Sequence, residues 1–219
     1  MNATQAPLSS AEAALTGLVV LIVVAFELTW MIVRHIVVMA HEGAHAIFAS
    51  LSGRGVESIK LKLNGDGATT PKRGGGVSST AAIGVVGYVG PSVFGLGAAE
   101  LIRSGYILSM FWVALALLIV LLLAVRWSFG FVTVFLAGAL AFFIAKYTPV
   151  HTQVIAAYVI AWLLLLSGIR VIVDHGLRAH DAKILRDATH IPRLIWSGLW
   201  LAGALAALFI GGRMLVMPA

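Results

Sequence analysis

The 219-residue chain contains no cysteine, which excludes disulfides and thiolate metal sites and leaves the redox compartment open. It is also poor in charge: Asp, Glu, Lys and Arg make up 11% of it, where a soluble domain carries roughly a quarter. The N-terminal stretch "MNATQAPLSSAEAALTG" has no basic n-region, so the first apolar run reads as a retained helix rather than a cleaved signal. What fills the chain instead is apolar. At 60% hydrophobic it is an integral membrane protein. Its net charge of +6 would suggest nucleic acid in a soluble chain. Here the basic residues lie between apolar runs, where they set topology and meet anionic headgroups, so no nucleic-acid partner is expected.

Apolar runs of spanning length fall at about 14–33, 36–52, 81–102, 107–125, 129–146, 151–173 and 194–212. Only Arg34 and His35 divide the first two, with no Gly or Pro to turn the chain. One helix over both would be about 57 Å long, too long for one bilayer, so a tight hairpin or a kinked, partly re-entrant helix is required. The expectation is an all-α polytopic membrane protein of six to seven transmembrane helices, a single domain over 1–219. Arg54, Lys60, Lys62, Lys72 and Arg73 crowd the loop 53–80, and Arg178, Lys183, Arg186 and Arg193 the loop 174–193. The opposite loops hold little beyond Arg103 and Lys146. The positive-inside rule therefore places both long loops in the cytoplasm.

In the first of these loops, Ile59, Leu61 and Leu63 alternate with Lys60 and Lys62, and "LNGDG" supplies Asn-Gly. That predicts a small β-hairpin at about 56–73. Gly84, Gly87, Gly90, Gly95 and Gly97 space small residues along the next run, either for close helix packing or to line a cavity, and Pro91 predicts a kink there. No repeat suggests the inverted halves of a transporter.

The chemistry concentrates in "HEGAH", residues 41–45. Titratable groups in lipid cost on the order of 2.5–3.5 kcal/mol each, so their presence asks for a use. His41 and His45 stand at i and i+4, on one helical face, where two neutral imidazoles can bind one metal. Glu42, one step round, can reach a metal-bound water as general base, and zinc would bring that water's pKa toward neutrality. The bland alternative is a set of buried polar residues serving helix–helix hydrogen bonds. A zinc site of this type needs a third protein ligand and an open position. The remaining histidines are His35, His151, His175, His180 and His190; the acids near a boundary are Glu27, Glu100, Asp174, Asp181 and Asp187. A carboxylate from the loop after the run 151–173 is the natural third ligand, since that loop shares the cytoplasmic side.

Three stretches, "HEGAHAIFASLSGRGVESIKL" (41–61), "GYVGPSVFGLGAA" (87–99) and "HDAKILRDATHIPRLIW" (180–196), resemble the site-2 protease family of intramembrane zinc metallopeptidases. The likeness is closest to its short bacterial branch without an attached soluble domain. It implies a bacterial cell membrane protein that cleaves transmembrane or membrane-tethered proteins within the bilayer. It carries over His41 and His45 as zinc ligands and Glu42 as the catalytic acid/base. The branch's Ser-Asp-Ala helix start is matched by His180-Asp181-Ala182, which implies Asp181 as the third ligand. The hairpin resembles the edge strand on which such proteases extend a substrate by strand addition.

The chain departs from the family in lacking an Asn-Pro-x-Pro-x-x-Asp-Gly string; "VDHG" at 173–176 echoes it only faintly. Asp174 is thus a rival third ligand, favoured by depth because Asp181 lies seven residues further from the apolar run. An N-cap role is an ordinary alternative for Asp181. No oxyanion stabiliser is evident, since the only asparagines are Asn2 and Asn64. Glu27 is read as structural, with Arg34 or a neighbouring helix as partner. Two other readings compete with proteolysis: a degenerate member that binds zinc or a membrane partner without turnover, and a small transporter using the same ligands.

Overall fold

The structure, a computed structural model, describes residues 5–72, 74, 76–126, 129–175 and 178–217; Asn2, Arg73 and Gly176 lie outside the described residues. The elements are α1 (Ser10–Ala25), α2 (Glu27–Leu51), β1 (Val56–Leu61), β2 (Gly67–Pro71), α3 (Val77–Arg103), α4 (Ile107–Ala124), α5 (Phe129–Tyr147), α6 (Val150–His175), α7 (His180–Thr189) and α8 (Arg193–Val216). This is an all-α polytopic membrane protein with one small antiparallel hairpin. Large apolar side chains such as Leu123, Leu136, Phe143 and Phe209 are exposed on the outer helix faces, where lipid covers them. Among the described residues, five helices are long and apolar enough to cross the membrane alone: α3, α4, α5, α6 and α8. The pair α1 and α2, bent by 103° at its break, is a broken sixth span or a re-entrant segment.

The break in that pair falls at Phe26, not at Arg34 and His35, which lie inside α2. Helix α1 starts with a capping box between Ser9 and Glu12 and stops where Phe26 turns extended. Neither Gly nor Pro forces the break, so the freed carbonyls must find donors elsewhere in the protein. Thr29 Oγ1 donates to the carbonyl of Val23 at 2.6 Å. Arg170, on α6, supplies most of the rest. Its Nη1 donates to the carbonyls of Val24 (3.3 Å) and Ala25 (3.1 Å). Its other nitrogens reach Glu27 Oε2 and Asp174 Oδ2, each at 2.7 Å, and the guanidinium lies 5.6 Å over the Trp30 ring. Glu27 therefore pairs with a neighbouring helix rather than with Arg34.

Helix α3 is the central element, packed on α2, α6, α7 and α8. Gly90 lets its backbone approach Ala44, where a Cβ would collide, while Gly97 meets nothing within 4 Å. Pro91 lies inside the continuous helix and leaves the carbonyl of Gly87 without its helical donor.

The hairpin is fixed by its alternation. Ile59 and Leu61 are buried against Met39, Leu121, Val125 and Val134, and Lys60 points out. The turn closes with Lys62 N–H donating to the carbonyl of Asp66 (2.8 Å) and Asn64 Nδ2 donating to Asp66 Oδ2 (2.7 Å). Gly65 takes φ +76° there, a conformation that favours glycine. Ile59 of β1 also bridges Val125 on its far side. Among the described residues no strand pairs with the outer edge of β2.

Arg170→Met leaves the α1 carbonyls and two carboxylates without their donor, and should lower stability by about 2 kcal/mol. Unfolding in detergent micelles measures this. Arg170→Lys should recover only part of the loss, because an ammonium cannot fork to four acceptors.

Candidate metal centre

One helical turn separates His41 and His45 on α2, and their Nε2 atoms converge to 3.0 Å. Asp181 Oδ2 completes a triangle, 3.2 Å from each imidazole nitrogen. Two zinc bonds of about 2.0–2.1 Å at a tetrahedral angle would separate their donors by about 3.3 Å, so the triangle has the size of one face of a zinc site. His45 Nδ1 lies 2.8 Å from the carbonyl of Ile83. A carbonyl only accepts, so the proton of a neutral His45 sits on Nδ1 and the Nε2 lone pair faces the triangle. Two imidazoles and a carboxylate with a cavity beside them form a donor set that fits zinc.

Asp181 reaches this position because α7 folds back. Ala182 and Leu185 on α7 are buried in a cluster with Tyr88, Ile172 and Trp200, and this packing lays the helix against α3. Distance along the chain from the apolar run is therefore no guide to depth. The N-cap of α7 is Ala179, so Asp181 sits in the first helical turn and does not cap. Asp174 is held away, bonded to Arg170.

Three further features close the centre. Gly87 of α3 lies directly over the histidines, and a Cβ there would run into both His45 and His41. Tyr88 packs edge-on against His41, with ring centroids 4.9 Å apart, and stacks on Trp200 at 4.5 Å. Trp200 Nε1 in turn donates to the carbonyl of Val85 (3.1 Å), which fixes the stack. Glu42, only 3% exposed, accepts a 2.6 Å hydrogen bond from Thr69 Oγ1 on the hairpin. The cavity lined by His41, Glu42, His45, Thr69, Tyr88 and Asp181 has a volume of about 770 Å³.

The structure thus brings together His41, His45 and Asp181 with Glu42 beside them, and leaves Asp174 and Glu27 in the Arg170 network. Asn64 borders the cavity but is committed to the hairpin turn. Sequence reasoning missed Tyr88 and Thr69. Both act through contacts between elements distant in the chain, for which a local pattern gives no signal.

A bundle of apolar helices around two histidines and an aspartate defines a membrane protein with a candidate metal centre. The sequence family described as Peptidase M50B-like matches residues 14–211, and the chain belongs to that family, within the site-2 proteases. At family level these are intramembrane metalloproteases, generally zinc-dependent. No curated protein and no solved structure matches the chain.

Gly87→Ala should displace both imidazoles and weaken zinc binding at least about 10- to 100-fold, the cost typical of disturbing the shell around a metal site. Competition against a chromogenic chelator reads this out. Gly97→Ala, in open space on the same helix, should bind zinc as the wild type does.

Proposed function

We propose that the protein is a zinc metalloendopeptidase that hydrolyses peptide bonds of transmembrane or membrane-tethered proteins within the bilayer. The observation that carries this reading is the 3.0–3.2 Å triangle of His41, His45 and Asp181 with Glu42 buried next to it. His41, His45 and Asp181 would hold the zinc. The ion, when bound, supplies Lewis acidity that lowers the pKa of water and polarises a carbonyl.

The remaining work falls to the chain. Glu42 takes a proton from the attacking water and delivers it to the leaving nitrogen. Tyr88, Trp200 and the backbone at Gly87 keep His41 and His45 in place and exclude lipid from one side of the triangle. The outer edge of β2 borders the same cavity, and an unwound substrate segment would pair with it as an added strand. A substrate helix must unwind to do so, since a helical backbone has no free donors to offer an edge. The concentration of Lys and Arg in 53–80 and 174–193 supports a cytoplasmic location for the hairpin and α7, and so for the mouth of the site.

Glu42→Gln should abolish cleavage of membrane substrates while leaving the zinc content at wild-type level. Quantitative proteomics of membranes carrying each form, with metal analysis of the purified proteins, tests this. Unchanged cleavage by Glu42→Gln would show that the glutamate is not the base. Zinc-loaded wild type without turnover would favour a binding role over catalysis.

A further inference from the structure

Thr69 stands at the middle of β2, and its side chain leaves the hairpin to meet α2. Its Oγ1 lies 2.6 Å from Glu42 Oε2 and 3.2 Å from the main-chain oxygen of the same residue. A threonine hydroxyl carries one hydrogen, so of two acceptors in reach the closer, charged one receives it. The other carboxylate oxygen packs on Gly67, two residues earlier and on the same face of the strand. A Cβ at that position would run into Glu42 Oε1. Residues 67 and 69 therefore make a seat for the carboxylate, with a bare backbone under one oxygen and a hydroxyl on the other.

The seat answers a need. A glutamate has three rotatable side-chain bonds, and beside a cavity of about 770 Å³ the helix alone leaves several of its rotamers open. Resting on the zinc-protease reading above, we propose that Thr69 is the positioning residue for the catalytic base, orienting the Glu42 carboxylate through its hydroxyl. The bond to Oε2 leaves lone pairs on Oε1 for the proton taken from water. Because the outer edge of β2 pairs with no strand among the described residues, base and incoming substrate backbone are set in one frame. Strand addition then fixes the scissile bond relative to Glu42 without a further element.

The test uses full-length, zinc-loaded protein in detergent micelles and an internally quenched peptide with an apolar span of about 20 residues. Thr69→Val keeps the shape and removes the hydroxyl; Thr69→Ser keeps the hydroxyl. In Thr69→Val, kcat should fall roughly 10- to 100-fold, the scale of a hydrogen bond to a charged group, with KM within about threefold of wild type. Zinc content and melting temperature should stay unchanged. Thr69→Ser should restore kcat to within about threefold. Gly67→Ala, which pushes the carboxylate off its seat from the other side, should also lower kcat and keep zinc.

Wild-type kcat in Thr69→Val overturns the proposal. So does an effect confined to KM, which would mean that Thr69 only anchors the hairpin, or a kcat loss that Thr69→Ser fails to recover. These outcomes leave the protease reading intact. A wild-type enzyme with no zinc-dependent turnover contradicts that reading, and this one with it.

Discussion

A polar atom inside a bilayer has no water to turn to, and the architecture of this protein follows from how the polar groups at its helix break and at its centre find partners. The bend at Phe26 is possible because Arg170 meets the carbonyls that α1 leaves behind and ties them to Glu27 and Asp174. The same rule governs the centre. His45 gives its Nδ1 proton to the carbonyl of Ile83, and Glu42 accepts from Thr69. Arg170 and the triangle are two separate solutions, and Asp174 and Asp181 divide between them. One carboxylate neutralises an arginine at a structural joint; the other faces two imidazoles.

Small residues on α3 make the second solution possible. Gly87 and Gly90 bring the backbone of α3 against the motif helix, so α2 is held along the stretch that carries the histidines. Helix α7 then packs on α3 beside Gly84 and delivers Asp181. Three elements converge on a point that no one of them could define. The hairpin closes the fourth side, with Ile59 and Leu61 anchored in an apolar cluster and Gly67 and Thr69 facing Glu42.

Much of this was legible in the sequence wherever the signal was local. The i, i+4 spacing placed His41 and His45 on one face, and alternation with Asn-Gly placed the hairpin. Apolar runs located the five independent spans. Where a feature depended on long-range packing, local pattern failed. The helix break was expected at Arg34 and His35, which separate the first two apolar runs, but it falls at Phe26, where Arg170 waits 144 positions downstream. Depth along the chain pointed to Asp174, because nothing local reveals that α7 folds back. The likeness to the family pointed to Asp181, and the packing of α7 puts its carboxylate beside the two histidines. Thr69 looked like any residue of a polar turn-rich loop, since its role lies in a contact to a residue 27 positions away.

On the reading proposed above, His41, His45 and Asp181 hold one zinc ion. Zinc-edge X-ray absorption on the purified protein tests it most directly. Two imidazole nitrogens should appear at about 2.0–2.1 Å and a carboxylate oxygen at about 2.0–2.2 Å. The carboxylate contribution should vanish in Asp181→Asn and persist in Asp174→Asn. A carboxylate shell that survives Asp181→Asn, or is lost only in Asp174→Asn, would contradict it.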